Sequence, residues 1–183
     1  MMLNLANGVA RGFQIICAAV VLGLSINLIR TQVYGSVAAV NYAAFTGGFG
    51  LLAGLLGIAA IFIEPLAGLV MAVVDAMATL FLLAGGIAIA VKLRTVSCSS
   101  DSDLNRYNLV RNELTNGGCV KNNKGQTSTC GFGDTDDLLS RCKKTSADAA
   151  FMIIAAVFCI GTVAMMLLAM KRGGGIGRKG VVV

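Results

Sequence analysis

A chain of 183 residues that is 56% hydrophobic and 13% charged, with a mean hydropathy of +0.80, carries more apolar surface than a soluble domain of its size can bury. Fifteen Lys and Arg against nine acids give a net charge of +6, but the basic residues form no periodic face, so no nucleic-acid partner is expected. There is no histidine, which removes imidazole bases, Ser-His and Cys-His nucleophile pairs and mixed Cys/His zinc sites, so neither a catalytic residue nor a metal or other cofactor is expected.

Four apolar runs follow in chain order, at about residues 12–29, 43–63, 66–91 and 147–170. Crossing ~30 Å of hydrocarbon takes ~20 helical residues, so the fold class expected is an all-α membrane protein, a bundle of four transmembrane helices. Arg11 and Arg30 bracket the first run and read as flanking charges. That run exceeds the ~7–15 residues of a signal-peptide core and no Ala-x-Ala site follows it, which favours a span over a cleaved leader.

Within the second run Gly47, Gly50, Gly54 and Gly57 recur every three or four residues and include a Gly-x-x-x-Gly. Such a stripe lets backbones approach closely, either inside the bundle or between two copies of the chain. Glu64-Pro65 then separates the second and third runs and reads as a tight turn. Pro65 suits a helix start, where its missing N–H is no loss, and Glu64 is favoured there by the helix dipole.

Asp75 lies ten residues beyond Pro65, about 15 Å along a helix, which puts a carboxylate near mid-membrane. Left unpaired it would cost roughly 2.5–3.5 kcal/mol, so it should face the bundle, with Asn27, Thr46 and Thr162 as candidate partners. Gly68, Ala72 and Thr79 share its face. The expected roles are a polar clamp between helices, an ion or proton site, or a site that senses lipid.

Residues 92–146 form a long polar loop holding Cys98, Cys119, Cys130 and Cys142. An even number of cysteines without a zinc-like Cys-x-x-Cys pairing indicates disulfides in an oxidising compartment. Three connectivities are open. The preferred one joins Cys98 to Cys142 across the loop's base and Cys119 to Cys130 around Asn122-Asn123-Lys124-Gly125. The glycine-rich tail at 171–183 carries Lys171, Arg172, Arg178 and Lys179 and no acid. By the positive-inside rule both ends lie in the cytoplasm and the loop outside, with the tail's cations available to anionic inner-leaflet lipid.

Several stretches together resemble the fungal non-classical export protein family, within the MARVEL-domain four-span membrane proteins. They are Val40-Asn41-Tyr42, Phe62-Ile63-Glu64-Pro65-Leu66-Ala67, Asp75 in the third run and Ser97-Cys98 beyond it. The resemblance implies a MARVEL-like bundle with cytoplasmic ends, residing in eisosome-associated domains of the plasma membrane and responding to sphingolipid status. It marks Asn41, Tyr42, Glu64, Pro65 and Asp75 as positions of interest for a lipid or partner. The chain departs from the family pattern in its second pair of loop cysteines and its short tail ending Val181-Val182-Val183.

The expected function is therefore a non-enzymatic membrane organiser. Its expected partners are sphingolipid, sterol or anionic inner-leaflet lipid, further copies of itself, and eisosome proteins. One alternative is a small channel or transporter subunit using Asp75. Another is a tetraspanin-like adaptor, although Thr129 before Cys130-Gly131 breaks the Cys-Cys-Gly signature of that group.

Overall fold

The computed structural model describes residues 2–62, 68–121 and 127–172. Helix α1 spans Met2–Arg30, α2 Ala38–Phe62, α3 Leu69–Leu93, α4 Asp103–Arg111 and α5 Thr135–Arg172, and strands β1 (Cys119–Lys121) and β2 (Thr127–Cys130) lie between α4 and α5. Four helices contain segments long and apolar enough to cross a membrane, namely Asn7–Arg30, Ala38–Ala60, Leu69–Leu93 and Thr135–Leu168. The chain is a multi-pass, four-helix membrane bundle.

Each span buries residues at alternating three- and four-residue steps, the spacing of a left-handed bundle seam. In α1 the seam is Arg11, Gln14, Ala18, Val21, Ser25 and Leu28, all fully buried. In α3 it is Met71, Asp75, Ala78, Leu82, Gly85 and Ile89. Around the ring α1 packs on α2 and α5, and α3 packs on the same two, so α1 and α3 stand at opposite corners. Large apolar side chains such as Phe45, Leu52 and Leu80 point outward, where the surrounding medium must be apolar.

The four spans alternate in direction, so the start of α1 and the end of α5 lie at one end of the bundle and the loop caps the other. These are called here the terminal end and the loop end. At the loop end Ser102 caps α4 by accepting from the Asn105 amide at 3.3 Å. The Asn105 side chain in turn binds both Ser97 backbone groups and the Ser100 carbonyl, which fixes the chain leaving α3. Strands β1 and β2 pair antiparallel with Cys119 opposite Cys130. Disulfides join Cys98 to Cys142 and Cys119 to Cys130. The hairpin tip at Asn122 to Gly125 lies outside the described residues.

The loop is also bound to the short α1–α2 connection, because the Val33 and Tyr34 amides both donate to the Gly117 carbonyl, at 2.9 and 3.1 Å. Gly118, at φ +90°, lies directly against the Tyr34 carbonyl, and a β-carbon there would collide with it. Only glycine permits both the backbone angle and the contact.

Three boundaries differ from the sequence expectation. The first helix runs back to Met2 past Arg11 instead of starting at Gly12, because Arg11 is neutralised inside the bundle. Helix α3 starts at Leu69, not Leu66, because its N-cap Gly68 takes φ +92°, outside the right-handed helical range. Helix α5 begins at Thr135, well before the apolar run at Ala147. Asp136 and Asp137 in its first turn suit the dipole, and Leu138, Arg141, Cys142 and Thr145 already turn inward.

Candidate functional site

At the terminal end one layer of the bundle takes a residue from every span. Arg11 of α1 donates through Nη1 to Asp75 Oδ1 at 2.6 Å and through Nη2 to Asp75 Oδ2 at 2.5 Å. The Thr162 hydroxyl of α5 shares its proton between the Cys159 carbonyl at 2.8 Å and Asp75 Oδ2 at 3.2 Å, and Gln14, one turn along α1, accepts from Arg11 Nη1 at 3.1 Å. Gly57 of α2 closes the layer: a β-carbon there would lie 2.5 Å from both Cζ and Nε of Arg11. The guanidinium therefore occupies the space that the missing side chain leaves.

Both members of the ion pair are fully buried. In a low-dielectric interior a bidentate arginine–carboxylate pair holds its charges through such geometry, while Arg11 Nε and Gln14 Nε2 are buried with no hydrogen-bond partner among the described residues. Asp75 lies six residues into α3, about 9 Å from its start, so it is nearer the terminal end than the mid-membrane depth read from sequence. Of the partners expected for it, Thr162 is engaged. Thr46 bonds the Ala43 carbonyl instead, and Asn27 accepts from Lys144 at the loop end. Thr79 donates to the Asp75 backbone carbonyl, not to its carboxylate.

The glycines of α2 face α1 in antiparallel order. A β-carbon on Gly47 would meet the Leu22 backbone at 2.8 Å, one on Gly54 would meet Ile15 at 2.5 Å, and one on Gly50 would lie an ordinary 3.4 Å from Ala18. With Gly57 on Arg11, the whole stripe is occupied by the neighbouring helix.

A second buried polar group lies at the loop end. Ser25 donates to Asp148 Oδ2 at 2.8 Å, joining α1 to α5. Nearby, Arg141 Nη2 donates to the Leu28 carbonyl at 3.0 Å and to Gln32 Oε1, Nη1 to Thr31 at 2.7 Å, and Nε to the Leu114 carbonyl at 3.3 Å. Its guanidinium also lies 5.5 Å from the Phe132 ring centre. One side chain thus caps the end of α1 and holds the loop against it.

The remaining positions marked by sequence are scattered. Asn41 is exposed near the start of α2, and Tyr42 lies against Gly85 of α3 with its ring 6.3 Å from Phe45. Lys171 is exposed at the end of α5. Glu64, Pro65, Arg178 and Lys179 lie outside the described residues, as does the side chain of Arg172. Sequence reading missed Arg11, Gln14, Ser25, Arg141 and Asp148 as interior residues.

The MARVEL membrane-associating domain matches residues 4–165, nearly all of the bundle and its loop. The chain belongs to the MARVEL family. A curated relative, the "Non-classical export protein 2" of Saccharomyces cerevisiae, is 27% identical over 178 residues, which cover 96% of this chain and 88% of the relative. No solved structure matches. The four-span MARVEL bundle is thus the setting of the Arg11–Asp75 layer, and its loop carries the Cys98–Cys142 disulfide.

Proposed function

We propose that this MARVEL protein is a non-enzymatic organiser of the plasma membrane, acting in eisosome-type domains and responding to sphingolipid or membrane state. The observation that carries this reading is the closed interior. Asp75 is consumed by Arg11 and Thr162, and the glycine stripe is filled by α1, so what the bundle offers to its surroundings is its apolar outer surface. A rigid body of this kind acts by which lipids or spans pack around it. The eisosome and sphingolipid context rests on the family resemblance read from sequence, and the similarity to a non-classical export protein agrees with that family.

In this reading both termini lie in the cytoplasm, with Lys171, Arg172, Arg178 and Lys179 against anionic inner-leaflet lipid. Sphingolipid, sterol, further copies of the chain and eisosome proteins are its proposed partners. A channel using Asp75 finds less support, because a carboxylate with both oxygens held and no exposed surface has nothing to offer a permeating ion. The test is imaging of a tagged copy in fungal cells during acute sphingolipid depletion. Surface clusters that disperse on depletion are expected, and a uniform or internal distribution indifferent to depletion would overturn the proposal.

A further inference from the structure

At the loop end a groove of about 570 Å³ opens between α3 and α5. Its outer rim carries Arg94, Ser97 and Ser146, and its inner wall includes Leu93, Ala150 and Ile153. The rim begins where the third apolar span stops at Leu93, the depth at which hydrocarbon gives way to headgroups. The inner wall lies along the spans themselves.

Polar and apolar halves are therefore ordered as they are in a lipid molecule. Arg94 is exposed and forms no side-chain ion pair among the described residues, whereas Lys92, two residues earlier, is bound to Glu113. A guanidinium and two hydroxyls lining one groove match a phosphodiester bearing further hydrogen-bonding groups. The small side chain of Ala150 leaves room below for an acyl chain. Cys98, also at the groove, is joined to Cys142 of α5, so the two walls are covalently held together and little ordering is left to binding.

We infer that this groove binds one lipid with an anionic phosphodiester headgroup from the loop-end leaflet, the outer one in the topology proposed above, with the phosphodiester on Arg94, Ser97 and Ser146 and a chain along the α3–α5 seam; phosphatidylinositol, which carries that headgroup chemistry, serves as the probe. The site deepens the lipid-responsive reading above and rests on it for its biological meaning. Its test uses purified protein, so its failure is separable from failure of the imaging experiment.

The full chain is placed in nanodiscs of phosphatidylcholine containing a minority of phosphatidylinositol, released, and scored by native mass spectrometry for molecules retaining one phosphatidylinositol. Loss of one charge-assisted contact should lower retention about tenfold in Arg94→Gln. Ala150→Phe, at an exposed position where the bundle's own packing is not disturbed, should do the same by filling the groove. Lys92→Gln should retain lipid as the unaltered chain does. Retention unchanged in Arg94→Gln or in Ala150→Phe would overturn the proposal, as would an equal loss in Lys92→Gln, which would mean diffuse attraction to any cation at this surface.

Discussion

Arg11 and Asp75 belong to helices that do not adjoin: the guanidinium crosses the axis of the bundle to reach the carboxylate through two bonds of 2.6 and 2.5 Å. The contact ties opposite corners together, so it constrains all four helices, including α2, whose Gly57 provides the space. Breaking such a pair from one side leaves a buried charge without a partner, at about 3–5 kcal/mol. Asp75→Asn and Arg11→Gln should each lower the melting temperature of the detergent-solubilised protein. The double replacement Arg11→Met with Asp75→Leu removes both charges and should be less destabilised than either single variant. If the double variant falls by the sum of the two, the pair is not a coupled unit.

The glycine stripe makes graded predictions. Gly57→Ala and Gly54→Ala place a methyl 2.5 Å from Arg11 and Ile15 and should cost about 1–3 kcal/mol by overpacking. Gly50→Ala meets Ala18 at 3.4 Å and Gly48→Ala meets nothing within 4 Å, so both should be near neutral. Thermal unfolding of the four variants checks the order. A severe loss at Gly48 alone would mean that another molecule packs on that side.

Arg141 joins the end of α1 to the loop through four acceptors from three residues of α1 and its connection and one of the loop. An ammonium cannot reproduce that fork, so Arg141→Lys should fail to rescue Arg141→Ala. Both variants should raise amide hydrogen exchange at Val33, Tyr34 and the segment around Leu114, while exchange in α3 stays unchanged. Full protection in the lysine variant would show that charge alone suffices.

The two disulfides close segments with sequence separations of 44 and 11 residues. By loop-closure entropy the longer should contribute about 4 kcal/mol and the shorter about 3 kcal/mol. Replacing Cys98 and Cys142 together by Ser should therefore lower stability more than replacing Cys119 and Cys130. Melting of the two paired variants under non-reducing conditions measures the difference, and the reverse order would contradict the entropic account.

The spans were legible because apolar length is a property of composition, and lipid demands it. The interior pairing was not, because a charge near the edge of an apolar run looks the same whether it flanks the membrane or enters the bundle. Arg11 illustrates this: beside Gly12 it reads as a boundary. A finer signal was present. Arg11, Gln14, Ala18, Val21, Ser25 and Leu28 fall at steps of three and four, so the polar members share one seam with the apolar ones. The same spacing runs through Leu138, Arg141, Thr145, Asp148, Met152, Ala155, Cys159 and Thr162 of α5. What no seam reveals is which polar residues meet, since that depends on the relative height of helices whose connections differ greatly in length.

The two charges of the central pair are separated by 64 residues along the chain. During synthesis the first span is complete before the third exists, so Arg11 must enter the membrane region without its counter-ion, and an unpaired charge is unfavourable within an apolar segment. Only when α3 arrives in the right orientation and at the right height is the charge extinguished. A truncated or inverted chain keeps a bare guanidinium within an apolar segment, so completing the bundle and neutralising its charge are one event.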